Sequence, residues 1–322
     1  MRIRTLLTLA IAIAPIGTFA QVPSARGSNE LMMQTLNEHA VIERDIAYAQ
    51  NSNPKQRLDI YMPKRRTAEP LPVVIFFHGG GWLQGDKADC ARIISQFLPS
   101  GHFAAVAAGY RLTGEAQWPA QLHDSKAAVR WVRANAAKYG LDADHIGVWG
   151  ASAGGHLALM LGVTGDRPEL EGHLGPHTNV SSRVSAVANF LGITDLRALE
   201  RPIGSADDSA GGSAEERLLG GPASAQKDKA REASPITYVS AKSVPVLTVH
   251  GTADPVVPFD QAVRFDAALR KAGGTSYFVA VEGGGHGDFG FVANSRVDAF
   301  FDKYLLNKDV TIDTTTITDW KK

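Results

Sequence analysis

Ser152 stands inside Gly150-Ala151-Ser152-Ala153-Gly154, a Gly-x-Ser-x-Gly pattern in which a serine hydroxyl can act as a nucleophile toward an acyl carbon. A hydroxyl is weak on its own. It needs a base to take its proton, a carboxylate to orient that base, and N–H donors for the oxyanion that forms. His286, in Gly283-Gly284-Gly285-His286-Gly287, is the candidate base, because the surrounding glycines leave it free to reach across toward Ser152. Asp254, in Gly251-Thr252-Ala253-Asp254-Pro255, is the candidate carboxylate, and Asp195, in Gly192-Ile193-Thr194-Asp195, competes with it. In His78-Gly79-Gly80-Gly81 the run of glycines lets backbone amides turn inward, so Gly80 and Gly81, with the amide of Ala153 next to the serine, are the candidate oxyanion donors.

Each of these residues also has a plainer use. Ser152 could cap the helix that follows it, the glycines could form an open loop, and Asp254 could sit in a surface turn. The order serine, aspartate, histidine, each placed after a strand, favours the chemical reading. Trp82, which adjoins the glycine loop, and Trp118 are candidates to flank a bound substrate, since indole faces give contact area with little flexibility to lose. Trp118 could equally pack on the helix that starts at Pro119. His250 ends a strand and His156 lies one helical turn beyond the serine, so both read as structural. His173 and His177 have the spacing of two helical metal ligands, but Gly172, Gly175 and Pro176 argue against a helix there, and neither zinc nor any other cofactor is expected.

The elements that must position these groups alternate along the chain. Residues 45–49 and 57–62 read as two strands joined at Asn51-Ser52-Asn53-Pro54, forming an antiparallel edge after a polar leader. Residues 71–77 are continuously apolar, as in a strand buried on both faces. A helix is expected over 91–98, a strand over 103–110 and a long helix over 119–139, where Leu122, Val129, Val132, Ala136 and Tyr139 keep helical spacing. The strand 146–149 feeds the serine turn and the apolar helix 157–163, and a strand at 184–191 follows. Residues 195–242, rich in Gly, Ser, Ala and charge, read as a cap-like insertion with short helices. Strands at 246–249 and 277–281 alternate with helices marked by Ala262, Phe265, Leu269 and Ala272 and by Val297, Phe301 and Tyr304, and the threonine-rich stretch 310–322 reads as a tail. The fold class is α/β, a mostly parallel sheet with helices on both faces and the reactive groups beyond the strands' carboxyl ends.

Composition narrows the partners. Lys plus Arg and Asp plus Glu each number 33, so no basic surplus suggests nucleic acid and no acidic tail suggests disorder. A small or neutral substrate fits that balance, and the oligomeric state is left open. Arg2 and Arg4, the apolar run of residues 6–19 and Thr18-Phe19-Ala20 read as a cleavable signal peptide over residues 1–20, which implies a secreted or periplasmic protein. The run is shorter than the roughly 20 residues a membrane span requires, and Pro15 interrupts it, so a stable membrane anchor is not expected. Cys90 is the only cysteine; no internal disulfide can form, and residues 21–322 must be held by one core.

With these motifs in place, the chain resembles an α/β-hydrolase from about residue 40 to 307. His-Gly-Gly-Gly-Trp and Gly-x-Ser-x-Gly-Gly are similar to the hormone-sensitive-lipase-like branch, although Ala151 stands where that branch usually has Asp. Gly-Thr-Ala-Asp-Pro-Val-Val-Pro and Val-Glu-Gly-Gly-Gly-His-Gly are closer to the feruloyl-esterase-like and acetyl-xylan-esterase-like bacterial carboxylesterases. The resemblance implies a serine carboxylesterase acting on acetyl or feruloyl esters of plant polysaccharide or on related small esters. A serine peptidase of the prolyl-oligopeptidase kind shares sheet and triad, but residues 21–70 cannot hold that family's additional domain. The alternative outside enzymology is a carbohydrate-binding or adhesion protein built on a hydrolase scaffold.

Overall fold

A computed structural model describes residues 25–66, 68–199 and 212–320; the candidate signal peptide lies outside the described residues. Eight strands form one sheet: β1 Ala40–Ala47, β2 Arg57–Pro63, β3 Leu71–Phe77, β4 Ala104–Ala108, β5 Leu141–Ala151, β6 Ala186–Phe190, β7 Val246–Gly251 and β8 Ser276–Val281. Their order is β1-β2-β4-β3-β5-β6-β7-β8. β1 and β2 run antiparallel at one edge, and all pairings from β4 through β8 are parallel. The serine strand β5 therefore lies inside the sheet, where neighbours on both sides fix its end.

Side chains of β3 alternate between two cores, as the two-residue period of a strand dictates. Val73, Ile75 and Phe77 join the cluster on one face, and Val74 and Phe76 join the other. The first face is covered by α3 Ala120–Ala134, α4 Ala136–Tyr139 and α5 Ala153–Val163; the second by α1 Ala25–His39, α2 Ala91–Phe97 and α9 Gly290–Leu305. Between β6 and β7 come α6 Ala214–Leu219 and α7 Lys227–Glu232, and α8 Asp260–Lys271 lies between β7 and β8.

Beyond shifts at strand and helix ends, such as β1 at Ala40–Ala47 where 45–49 was expected, three parts of the chain depart from the sequence expectation. The helix expected over 119–139 is two helices, because the Asn135 side chain donates to the Trp131 carbonyl at 2.8 Å and competes with the backbone ladder. The polar leader contains α1, which packs on α2 with Leu36 buried; its stripe is too weakly apolar to show as a pattern. Residues 310–320 are not a loose tail. Ile317 donates to Ala280 and accepts from Glu282, both at 2.9 Å, covering the free edge of β8, while Ile312 and Ile317 are buried. The threonine-rich composition masks these apolar contacts.

Candidate active site

Ser152 occupies a strained turn between β5 and α5, with φ 55° and ψ −121°. A non-glycine residue holds such a conformation only where its surroundings enforce it. Here Ser152 N–H donates to the Phe190 carbonyl at 2.8 Å, and the Ser152 carbonyl accepts from His156 at 3.0 Å. A Cβ on Gly150 would collide with the Gly154 carbonyl, and one on Gly154 with the Phe77 carbonyl, so the tight turn requires glycine at both positions. The serine side chain makes no helix-capping bond. Its hydroxyl is directed instead at His286.

The Ser152 Oγ lies 2.9 Å from His286 Nε2, and His286 Nδ1 lies 2.8 Å from Asp254 Oδ2. Two loops make this contact: the one after β7 carries the carboxylate and the one after β8 carries the imidazole. Asp254 Oδ1 accepts from the amides of Val256 at 2.8 Å and Val257 at 2.9 Å, which fixes the plane of the carboxylate. Burial pushes the Asp254 carboxyl up, but hydrogen bonds from His250, His286 and the Val257 amide outweigh it and hold the group well below the usual carboxylate range. An ionised Asp254 can only accept, so His286 donates through Nδ1 and its Nε2 is free to accept the serine proton.

The glycine loop after β3 is anchored from behind. The His78 ring stacks on Tyr110, with centroids 4.3 Å apart and planes 11° apart, and its Nδ1 donates to the Gly79 carbonyl at 2.8 Å. Tyr110 donates its hydroxyl hydrogen to the His78 carbonyl at 2.8 Å. Gly80 and Gly81 then take φ of 99° and 60°, values glycine adopts at little cost. Among the described residues neither glycine amide has a backbone acceptor. Ala153, the first residue of α5, has an amide with no acceptor inside its own helix. Gly80, Gly81 and Ser152 border one cavity of about 950 Å³. Its floor includes Phe76, Trp149 and Phe190, and Ile93 of α2 and Val256 of the aspartate loop also line it.

The two tryptophans separate. Trp82 borders the cavity but is fully buried, its ring set edge-on against His156 with centroids 5.0 Å apart. Trp118 lies outside the cavity lining: its amide donates to the Leu218 carbonyl and its indole Nε1 to Glu232, both at 2.9 Å. Through these bonds Trp118 ties the insertion to the body. The described part of that insertion reaches the cavity through Ala214 and Glu215. Asp195 pairs instead with Arg197 at 2.8 Å. Among the described residues no group of three or more His, Cys, Asp or Glu is placed to hold a metal ion, and no helix is long and apolar enough to cross a membrane.

Sequence reasoning assigned His250 to structure alone. In the fold its Nε2 lies 2.9 Å from the Val257 carbonyl and 3.4 Å from Asp254 Oδ2. The four-residue spacing to Asp254 was the available signal, but it becomes a contact only because the loop after β7 folds back over the strand end.

Sheet order, the strained serine turn and the chain order of the three side chains together define an α/β-hydrolase of the serine-esterase kind. Within that class the chain belongs to the BD-FAE family, whose model matches residues 58–269. It is 31% identical over 236 residues to esterase LipC of Mycobacterium tuberculosis, a match covering 73% of this chain and 57% of that one. Esterase LipQ of the same organism is 30% identical over 80% of this chain and 60% of its own. The chain thus spans less than two thirds of the length of these relatives. Among solved structures, a truncated carbohydrate esterase from gut microbiota superposes with a TM-score of 0.76 at 32% identity, covering 82% of this chain and 96% of that one. Esterase 2 of Thermogutta terrifontis gives 0.65 at 28% identity, covering 82% and 92%.

Proposed function

We propose that the protein is a secreted serine carboxylesterase that cleaves acetyl or feruloyl esters of plant polysaccharide, or related small esters, through an acyl-enzyme. The observation that carries this reading is the unbroken hydrogen-bonded line Ser152–His286–Asp254 beside the free amides of Gly80, Gly81 and Ala153. In the first half-reaction His286 Nε2 takes the hydroxyl proton as Ser152 Oγ attacks the ester carbon. The three amides stabilise the oxyanion, and Asp254 stabilises the imidazolium. Collapse of the tetrahedral species breaks the ester C–O bond, and the imidazolium gives its proton to the departing alcohol. Water then repeats the sequence on the acyl-serine, releasing the acid and restoring the hydroxyl.

The substrate reading is supported by likeness to a carbohydrate esterase and by a largely aromatic and aliphatic cavity of about 950 Å³, far roomier than an acetyl group needs. The secreted location rests on the basic, apolar and small-residue pattern of residues 1–20. The test is a panel of acetylated xylan, feruloylated arabinoxylan and p-nitrophenyl esters of increasing acyl length. Release of acetate or ferulate from polymer is expected at rates comparable to p-nitrophenyl acetate. Activity that climbs with chain length while both polymers stay untouched would instead indicate a lipid ester.

A further inference from the structure

We propose that His250 is a positioning residue for the catalytic carboxylate, so that the relay comprises four side chains, Ser152, His286, Asp254 and His250. This rests on the esterase reading above. His250 ends β7 and is fully buried. Its Nε2 is 2.9 Å from the Val257 carbonyl, a group that can only accept, so this nitrogen carries the hydrogen. The same N–H lies 3.4 Å from Asp254 Oδ2, the oxygen that also accepts from His286 Nδ1 at 2.8 Å.

The loop is thereby clamped from both sides. The amides of Val256 and Val257 hold Asp254 Oδ1 from within the loop, and His250 spans the gap between the Val257 carbonyl and Oδ2 from the strand. By holding the Val257 carbonyl, His250 steadies the residue whose amide donates to Asp254 Oδ1, and its ring stands beside Oδ2. The other ring nitrogen, Nδ1, is buried with no hydrogen-bond partner, and the ring meets Phe259 edge-on at 5.9 Å.

His250 itself lies outside the cavity lining and makes no hydrogen bond to the Ser152 hydroxyl, so its effect passes through Asp254 and Val257. Two variants separate positioning from packing. In His250→Gln the amide N–H can stand close to where Nε2 stood; in His250→Asn the side chain is too short to reach. Steady-state hydrolysis of p-nitrophenyl acetate should show His250→Asn reduced about tenfold in kcat, the loss of one buried hydrogen bond, with KM within twofold of the parent. His250→Gln should recover most of that loss. In an Asp254→Asn background, adding His250→Asn should cost nothing further, because the acceptor it positions is already altered.

Equal kcat for His250→Asn and the parent would overturn the proposal. So would equal losses in both variants, or a full tenfold loss persisting in the Asp254→Asn background, since either would mean the ring matters only for packing. An inactive parent enzyme would refute the esterase reading itself, a separate outcome. Should His250→Asn fail to fold, His250→Gln alone decides: a kcat within threefold of the parent supports the donor role, and a tenfold loss in a folded protein with unchanged Tm contradicts it.

Discussion

The loops after β6 and β7 begin alike, with Gly192-Ile193-Thr194-Asp195 in one and Gly251-Thr252-Ala253-Asp254 in the other. Both aspartates are largely buried, and both carboxyls lie below their ordinary range. What differs is the partner. Asp195 faces the guanidinium of Arg197 at 2.8 Å, with that of Arg264 at 3.8 Å, so its charge is cancelled where it stands. Asp254 accepts from two amides and from the His286 imidazole, with the His250 ring 3.4 Å away, and among the described residues no arginine or lysine pairs with it. Only a carboxylate that keeps its net charge can stabilise an imidazolium next to it. Position after a parallel strand selects both aspartates; the surrounding charges select one.

The largest expected effect lies at the end of the relay the two loops compete for. Ser152→Ala should lower ester turnover roughly 10⁶-fold while circular dichroism and Tm stay near the parent values. Asp254→Asn comes next, with a loss on the order of 10⁴-fold in kcat, because the neutral amide cannot stabilise the charged His286. A loss of that size in Asp195→Asn, with Asp254→Asn active, would reverse the comparison.

A buried imidazole with no carboxylate at hand sharpens the same contrast. His156 donates through Nε2 to the Ala233 carbonyl at 2.7 Å, and burial lowers its pKa from 6.5 to about 4. The unfolded chain binds a proton near pH 6.5 that the folded chain refuses until about pH 4, so the stability held above 6.5 is lost as pH falls through that window. From pH 7 to pH 5 the loss from this residue should be about 2 kcal/mol. Urea unfolding of His156→Gln should show a pH dependence flatter by that amount; an unchanged slope would mean the folded site accepts the proton. The smallest effect belongs to Asp195→Asn. Removing its half-exposed pairing should cost about 1 kcal/mol of stability, and kcat should stay within threefold of the parent.

Much of this was written locally in the chain. The continuous apolar run of β3 and the glycines flanking Ser152 each announce a local requirement met within a few residues, and the fold places them as their sequence implies. Contacts that depend on loops folding back were not legible. His250 meets Asp254 only once the loop after β7 closes, and Trp118 turns to Glu232 because α7 is there to receive its indole. α1 and the Ile312–Ile317 segment escaped for a related reason: each buries a few apolar side chains without any periodicity that polar neighbours do not obscure.

The central claim is that Ser152 becomes covalently acylated with His286 as its base. The most direct test is to treat the protein with a fluorophosphonate and map the modified peptide by mass spectrometry. One stoichiometric adduct is expected on Ser152, and none in His286→Ala on the same timescale. An adduct on another residue, or labelling of Ser152 at an undiminished rate in His286→Ala, would contradict it.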